Sequence, residues 1–187
     1  MSGNDVTVMC PEQEPPECID PERITEFLSQ CSSSITRFGR DMVGIFAGEV
    51  EPDSIIYEVY ELESIGNIRL AVTKLMPGKV GDEYYMTKGH YHEDPQSGEV
   101  YFGLKGRGLL IMQTKDGETG EIELDPGTIA CIRPGWAHRS VNTGNEEFVF
   151  LAAFPREAGH DYSSIEEGGF LKRVVEVGGR PTLVPGQ

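Results

Sequence analysis

From about Ile45 onward, short β-rich runs alternate with clusters of turn-forming residues, and this spacing constrains the fold more than any other feature. The runs are SIIYEVYEL, NIRLAVTKLM, EVYFGLKG, GLLIMQT, GEIEL, GTIACI, AHRSVN and EFVFLAAF. Between them lie SIGN, PGKVGDE, KGRG, KDGETG, DPG, RPGW and NTGNEE. Segments of this length, rich in β-branched and aromatic residues and bounded by Gly, Pro, Asn and Asp, read as strands. About eight of them at such spacing make a sandwich or a closed barrel. The final stretch, GFLKRVVEVGGRPTLVPGQ, reads as one or two edge strands plus a tail. Helical spacing is confined to the beginning. Asp20 suits an N-cap and Pro21 the first helical position, after which Ile24, Phe27 and Leu28 share a face. Residues 1–20 show no periodicity and read as an extended arm. At 187 residues the chain fits one domain. We divide it into an arm and short helix over 1–30 and a single β domain over 31–187.

Charge narrows the partners. Lys and Arg total 16 against 31 Asp and Glu, a net charge of −15. Such a surface repels a polyphosphate, so no nucleic-acid partner is expected. A small anion is still acceptable where a few local donors meet it. No apolar run approaches a membrane span, and the first residues, MSGNDVTVMC, carry no secretory pattern, so a cytoplasmic protein without a membrane partner is expected. Cys10, Cys18, Cys31 and Cys131 contain no Cys-x-x-Cys pair and read as free thiols in a reducing compartment.

Three of the four histidines and one glutamate carry the chemistry. In TKGHYHEDPQSGEVYFGLKGRG, His90 and His92 are two residues apart, so in an extended segment both imidazoles point to one side and Tyr91 to the other. EDPQSG reads as a hairpin loop that brings Glu99 back beside them. His138 follows a Pro-Gly turn and opens a strand in which Trp136, His138, Ser140 and Asn142 share a face. Barrel closure would bring His138 to the other three. Three imidazoles and a carboxylate suit Fe, Mn, Zn, Ni or Co.

The two segments resemble the paired motifs of the cupins: His-x-His, Glu99 and Gly106 in the first, and Gly127, Pro134, Gly135, His138 and Asn142 in the second. The gap from His92 to Glu99 is longer than in most cupins, and the second motif is off by one. Both departures are changes of loop length. The resemblance implies an all-β cupin fold, a double-stranded β-helix or jelly-roll barrel, behind the short N-terminal helix and arm. One further segment is IYEVYELE. Together with PGKVGDEYYMTKGHYH, EVYFGLKGRG, PGWAHRSVN and FPREAGHDYSSIEEGGF, read from Ile45 to Val177, it resembles the cupin-type phosphoglucose isomerases known mainly from archaea.

That resemblance implies a metal-dependent aldose–ketose isomerase acting on glucose 6-phosphate and fructose 6-phosphate in glycolysis and gluconeogenesis. It implies metal ligands His90, His92, Glu99 and His138. It also implies one divalent ion per subunit, iron first among Fe, Mn, Ni, Zn and Co, and a homodimer. Substrate contacts would come from Tyr57, Thr73, Thr87, Gly89, Tyr101, His160 and Tyr162. Gly135 stands where some relatives carry Tyr, so one aromatic contact is expected to be missing or replaced. Read as chemistry, the hydroxyls of Tyr57, Thr73 and Thr87 and the Gly89 backbone N–H are neutral donors suited to phosphate. Glu99 is the candidate base for carrying a proton between C2 and C1. A metal-assisted hydride shift is the competing route. The alternatives are an isomerase of another sugar phosphate such as mannose 6-phosphate, a metal-dependent cupin dioxygenase, and a non-catalytic sugar-binding cupin.

Overall fold

A computed structural model describes residues 20–186 except Ser32 and Glu63. The expected arm over residues 1–19, with Cys10 and Cys18, lies outside the described residues. The chain begins with a 3₁₀ turn, Pro21–Arg23, which leads into α1, Ile24–Ser29. The Asp20 carboxylate accepts from the Glu22 N–H at 3.0 Å, the cap expected from the sequence. Thirteen strands follow: β1 (Ile35–Phe38), β2 (Ile55–Glu61), β3 (Ile68–Leu75), β4 (Lys79–Val80), β5 (Glu83–Tyr84), β6 (Glu99–Lys105), β7 (Gly108–Thr114), β8 (Thr119–Leu124), β9 (Ile129–Ile132), β10 (Trp136–Asn142), β11 (Phe148–Pro155), β12 (Lys172–Val177) and β13 (Arg180–Pro185). A second helix, α2 (Ser163–Gly168), lies between β11 and β12.

All eight strand runs read from the sequence are strands, and the C-terminal stretch pairs as the β12–β13 hairpin. The structure adds β1, the two-residue strands β4 and β5 within PGKVGDEY, and α2. These pieces are too short to display a period.

Two of the three antiparallel sheets form the walls of a cupin barrel, and β13-β12-β5-β4 make the third sheet. One wall has the order β1-β2-β3-β11-β6-β9. The other is built on β10-β7-β8. The segment from Tyr85 to Tyr91 runs along β10 and extends this second wall. Its pairing is carried by Asn142 N–H to Tyr85 O at 2.9 Å, Thr87 N–H to Ser140 O at 2.9 Å, and His90 N–H to His138 O at 3.2 Å. Gly89 breaks that segment with φ of +72°, so His90 and Tyr91 sit in isolated bridges. The expected hairpin between the histidines and Glu99 does not form. His90 pairs with His138 of β10, while β6 pairs with β9 and β11. EDPQSG is instead a loop whose turn is tied by the Asp94 carboxylate accepting from the Ser97 hydroxyl at 2.6 Å.

Pleating of the first wall decides which side chains enter the barrel. Ile35 and Arg37 of β1, Tyr57, Val59 and Glu61 of β2, and Arg69, Ala71 and Thr73 of β3 all face inward. So do Phe150, Ala152 and Phe154 of β11, and Glu99 and Tyr101 of β6. The register aligns them: Arg37 opposes Tyr57, Val59 opposes Thr73, Thr73 opposes Phe150, and Ala152 opposes Tyr101. The alternate residues Tyr60, Val72, Leu104 and Val149 face outward. There Ile24 and Leu28 of α1 cover them and form a second apolar cluster.

One end of the barrel is closed by a core that includes Ile56, Leu75, Leu110, Leu124 and Phe148. Asn142 ties this end together. Its buried amide donates to Leu75 O at 2.9 Å and Glu146 O at 2.8 Å, and its carbonyl accepts from the Gly144 N–H at 2.9 Å. The motif asparagine is therefore structural. Phe148 is fully buried, and its ring fills the space a Cβ on Gly108 would occupy. Replacing Phe148 with Ala should cost about 3–5 kcal/mol, read as a lower urea midpoint at unchanged slope.

Candidate metal centre and substrate pocket

The open end of the barrel is a pocket of about 270 Å³ lined by both walls. Gly89 takes part because nothing larger fits. A Cβ there would lie 2.7 Å from the Phe170 ring and 2.9 Å from the His138 carbonyl oxygen, and the backbone is left-handed. The break at Gly89 turns His90 into the barrel.

His90, His92, Glu99 and His138 come together with their ligating atoms within 4.8 Å of one another. Glu99 Oε2 lies 3.2 Å from His92 Nε2 and 2.9 Å from His138 Nε2. The second contact is close in distance but makes no hydrogen bond, and the Nε2 atoms of both His138 and His90 are buried without a partner. Tautomers follow from the other ring nitrogens. His92 Nδ1 lies 3.1 Å from Ser97 O and His138 Nδ1 lies 3.4 Å from Trp136 O. A carbonyl oxygen only accepts, so each Nδ1 carries a proton, and in its neutral form each ring turns an Nε2 lone pair toward Glu99. Lone pairs then face a carboxylate inside the protein, where only protons or a cation can reconcile them.

Electrostatics describe the same conflict. Burial would raise the Glu99 pKa, but a proton on the facing Nε2 of His138 or His92 outweighs it and holds the carboxyl below its usual range. Burial opposes protonation of His92, yet the Glu99 carboxylate brings its net shift upward. Burial, followed by the neighbouring His138, His160 and His92, drives His90 well below the ordinary imidazole value, so it stays neutral and a lone-pair donor. A borderline cation with imidazole and carboxylate ligands fits this donor set, and the two orphaned Nε2 atoms are what such an ion would satisfy.

The remaining sequence-derived residues line the same pocket: Tyr57, Thr73, Thr87, Gly89, Tyr101, His160 and Tyr162. Their rings form a continuous aromatic surface beside the quartet. His160 lies 4.4 Å from His90, centroid to centroid, and Tyr162 stacks on His160 at 5.8 Å and 10°. Tyr101 packs on Phe150 at 4.6 Å and edge-on to His138 at 5.7 Å. Burial raises the Tyr101 hydroxyl well above its usual pKa and pushes Tyr162 up to about 12, so both are neutral donors. Thr87 Oγ1 accepts from the Ser140 N–H at 3.1 Å, which leaves its own O–H to donate elsewhere.

Asp161 positions His160 and Tyr162. Its carboxylate accepts from the side chains of Ser163 (2.7 Å) and Ser164 and from the Ser164 N–H at 3.1 Å, opening α2. Lys88 points away from the pocket toward Glu166 of α2, at 3.6 Å. The backbone carbonyl of Lys88 accepts two bonds from the buried Arg139 guanidinium, at 3.1 and 2.6 Å, which braces the Thr87–His90 segment from behind.

The sequence reading missed Arg37, Glu61 and Arg69. For Glu61 and Arg69 the signal was present: continuing the alternation from Tyr57 to Val59 to Glu61, and from Thr73 to Ala71 to Arg69, gives both. Arg37 needed β1, which lies before the first recognised run.

His138→Ala should lose bound metal, read as metal per protein by elemental analysis, while the far-ultraviolet circular dichroism stays that of the parent. Full metal content in that variant would exclude the quartet.

A family model described as glucose-6-phosphate isomerase (GPI) matches residues 47–182. The glucose-6-phosphate isomerase of Thermococcus litoralis is 46% identical over 166 residues, covering 83% of this chain and 87% of that protein. Those of Pyrococcus horikoshii and Pyrococcus furiosus are 47% and 42% identical, covering 77% and 86% of this chain and 82% and 89% of theirs. By both measures this chain belongs to the glucose-6-phosphate isomerase family.

Proposed function

We propose that this chain interconverts glucose 6-phosphate and fructose 6-phosphate at the open end of its barrel. Family membership supports the substrate pair. The observation that carries the assignment to this site is the buried quartet beside neutral phosphate-suited donors in one pocket. His90, His92, Glu99 and His138 would hold one divalent ion, with iron the first choice among metals suited to three imidazoles and a carboxylate. When bound, that ion supplies a Lewis acid next to the substrate oxygens. The dioxygenase and non-catalytic readings leave the donor set unexplained.

The protein's own residues divide the remaining work. Glu99 is the candidate base, taking the proton from C2 and returning it to C1 through an enediol. Of the two carboxylates lining the pocket, Glu61 is engaged by Arg69 at 2.9 Å. Glu99, whose carboxyl is held below its usual range despite burial, lies deep in the barrel. Tyr101, His160 and Tyr162 flank the sugar and exclude water, while Tyr57, Thr73, Thr87 and the Gly89 N–H receive the phosphate. We assign the cytoplasm as the place of action. Among the described residues, no helix is long and apolar enough to cross a membrane.

A homodimer is part of the proposal. Val100 and Ile129 stand exposed on the outer face of β6 and the edge strand β9, 41% and 64% accessible, and a second copy would cover them. Ile129→Glu should then shift the mass measured by light scattering from two subunits to one.

A coupled assay of fructose 6-phosphate conversion tests the whole reading. Activity should vanish on chelation and return with added metal. Turnover in deuterium oxide should place solvent deuterium in the product through Glu99. Product free of deuterium would replace that step with a hydride shift between carbons, and an inert protein at full metal loading would overturn the assignment.

A further inference from the structure

The substrate in this reading carries a phosphate with close to two negative charges at neutral pH. The donors assigned to it so far are all neutral. The chain as a whole has a net charge of −15, so the long-range field opposes the ligand. A local cation would resolve that conflict, and the pocket lining contains two guanidiniums, Arg37 and Arg69.

Their surroundings differ. Arg69 is compensated: its guanidinium pairs with Glu61 at 2.9 Å and lies over the Phe154 ring at 5.8 Å. Arg37 is not compensated. Among the described residues no carboxylate lies within 4.0 Å of it, and its Nε is buried without a hydrogen-bond partner. A buried donor on a charged group is costly to leave unmatched, and such an orphan inside a pocket marks where a ligand atom belongs. Its position is suitable. Arg37 opposes Tyr57 in the β1–β2 register, and the Tyr57 hydroxyl is close to both the Arg37 guanidinium and the Lys88 backbone. The cation therefore sits next to the Thr87–Gly89 turn.

We infer that the Arg37 guanidinium anchors the substrate phosphate, completing with Tyr57, Thr87 and the Gly89 N–H a site for a phosphate dianion. The inference rests on the isomerase reading for the identity of the substrate. The anion site itself stands on the orphaned donor and the pocket. A planar fork of N–H groups matches phosphate oxygens in pairs, so the residue confers geometry as well as charge. Arg37 is far along the sheet from Glu99 in register, three inward positions away. Its contribution is to binding, equal in ground state and transition state.

The test uses the metal-loaded full chain. Arg37→Ala should raise KM for fructose 6-phosphate by roughly 10- to 150-fold, the worth of a hydrogen bond to a charged group, with kcat changed less than about threefold. Metal content should match the parent. Inorganic phosphate, as a competitive inhibitor and by calorimetry, should weaken by a similar factor. Arg37→Lys should recover part of the phosphate affinity because it restores charge without the fork, and it keeps the inference testable if the alanine variant is unstable. Unchanged KM and phosphate affinity in a folded variant, or a loss confined to kcat, would overturn the role of Arg37. A parent that binds phosphate through Arg37 yet turns over neither sugar phosphate would sink the isomerase reading and leave the anion site standing.

Discussion

The centre of this protein is built around an arrangement that its own atoms cannot satisfy. Two imidazoles, their Nδ1 protons donated to the carbonyls of Ser97 and Trp136, aim lone pairs at the Glu99 carboxylate when neutral. A third, His90, adds another buried nitrogen without a partner. Removed from water, acceptors facing acceptors are destabilising, and several kcal/mol must come from elsewhere to hold them there. The barrel supplies that stabilisation through its closed end, where Ile56, Leu75, Leu110, Leu124 and Phe148 are buried almost completely. A cation relieves the conflict. Metal binding and stability are thus coupled, because an ion that binds only the folded chain stabilises it.

Holding the conflict in place requires rigid backbone on every side, and each ligand has a different support. Glu99 starts β6, clamped between β9 and β11. His138 lies within β10, fully paired to β7. His90 is fixed by two backbone hydrogen bonds to His138 itself, at 3.2 and 3.1 Å. His92 has no strand and relies on the Asp94–Ser97 turn, whose carbonyl takes its Nδ1 proton. The longer loop between His92 and Glu99 therefore has a function. Its Pro95 and Ser97 turn presents the Ser97 carbonyl that sets the His92 tautomer, a task an ordinary two-residue hairpin turn could not perform at this position.

Much of this was legible in the sequence, for physical reasons that also explain what was not. The strands of the barrel announce themselves through long apolar alternations and turn residues, and His90, His92 and His138 stand out because the chain has only four histidines, with Glu99 picked out by its place in the motif. The expected strand hairpin between the histidines and Glu99 misjudged the pairing partner. Gly89 ends regular pairing, and the segment lies along β10, which sequence distance hides. β1 was missed because ITRF has four residues and both its faces are half-buried, leaving no hydrophobic period to detect. α2, with six residues, shows less than two turns of pattern. Arg37 was lost with β1.

The position of Arg37 explains how so acidic a protein accommodates an anionic substrate. Most of its cations are neutralised close to where they stand: Lys74 by Glu58 at 2.6 Å, Arg69 by Glu61, Lys79 by Glu176 at 2.9 Å, and Lys105 by Glu147 at 3.2 Å. A net charge of −15, with paired charges along the walls, leaves little to attract phosphate over long range. An uncompensated guanidinium inside the pocket then has an effect out of proportion to its single charge, because low-dielectric walls focus its field. The result is a pocket with positive character at two points, one from Arg37 beside Tyr57 and one from an ion held by the quartet, separated along the sheet. A ligand that places a dianion at one point and vicinal oxygens at the other satisfies both, and a phosphate ion or a neutral sugar satisfies only one. Selectivity for a sugar phosphate then follows from the spacing of two sites on a single pleated wall, set by strand register.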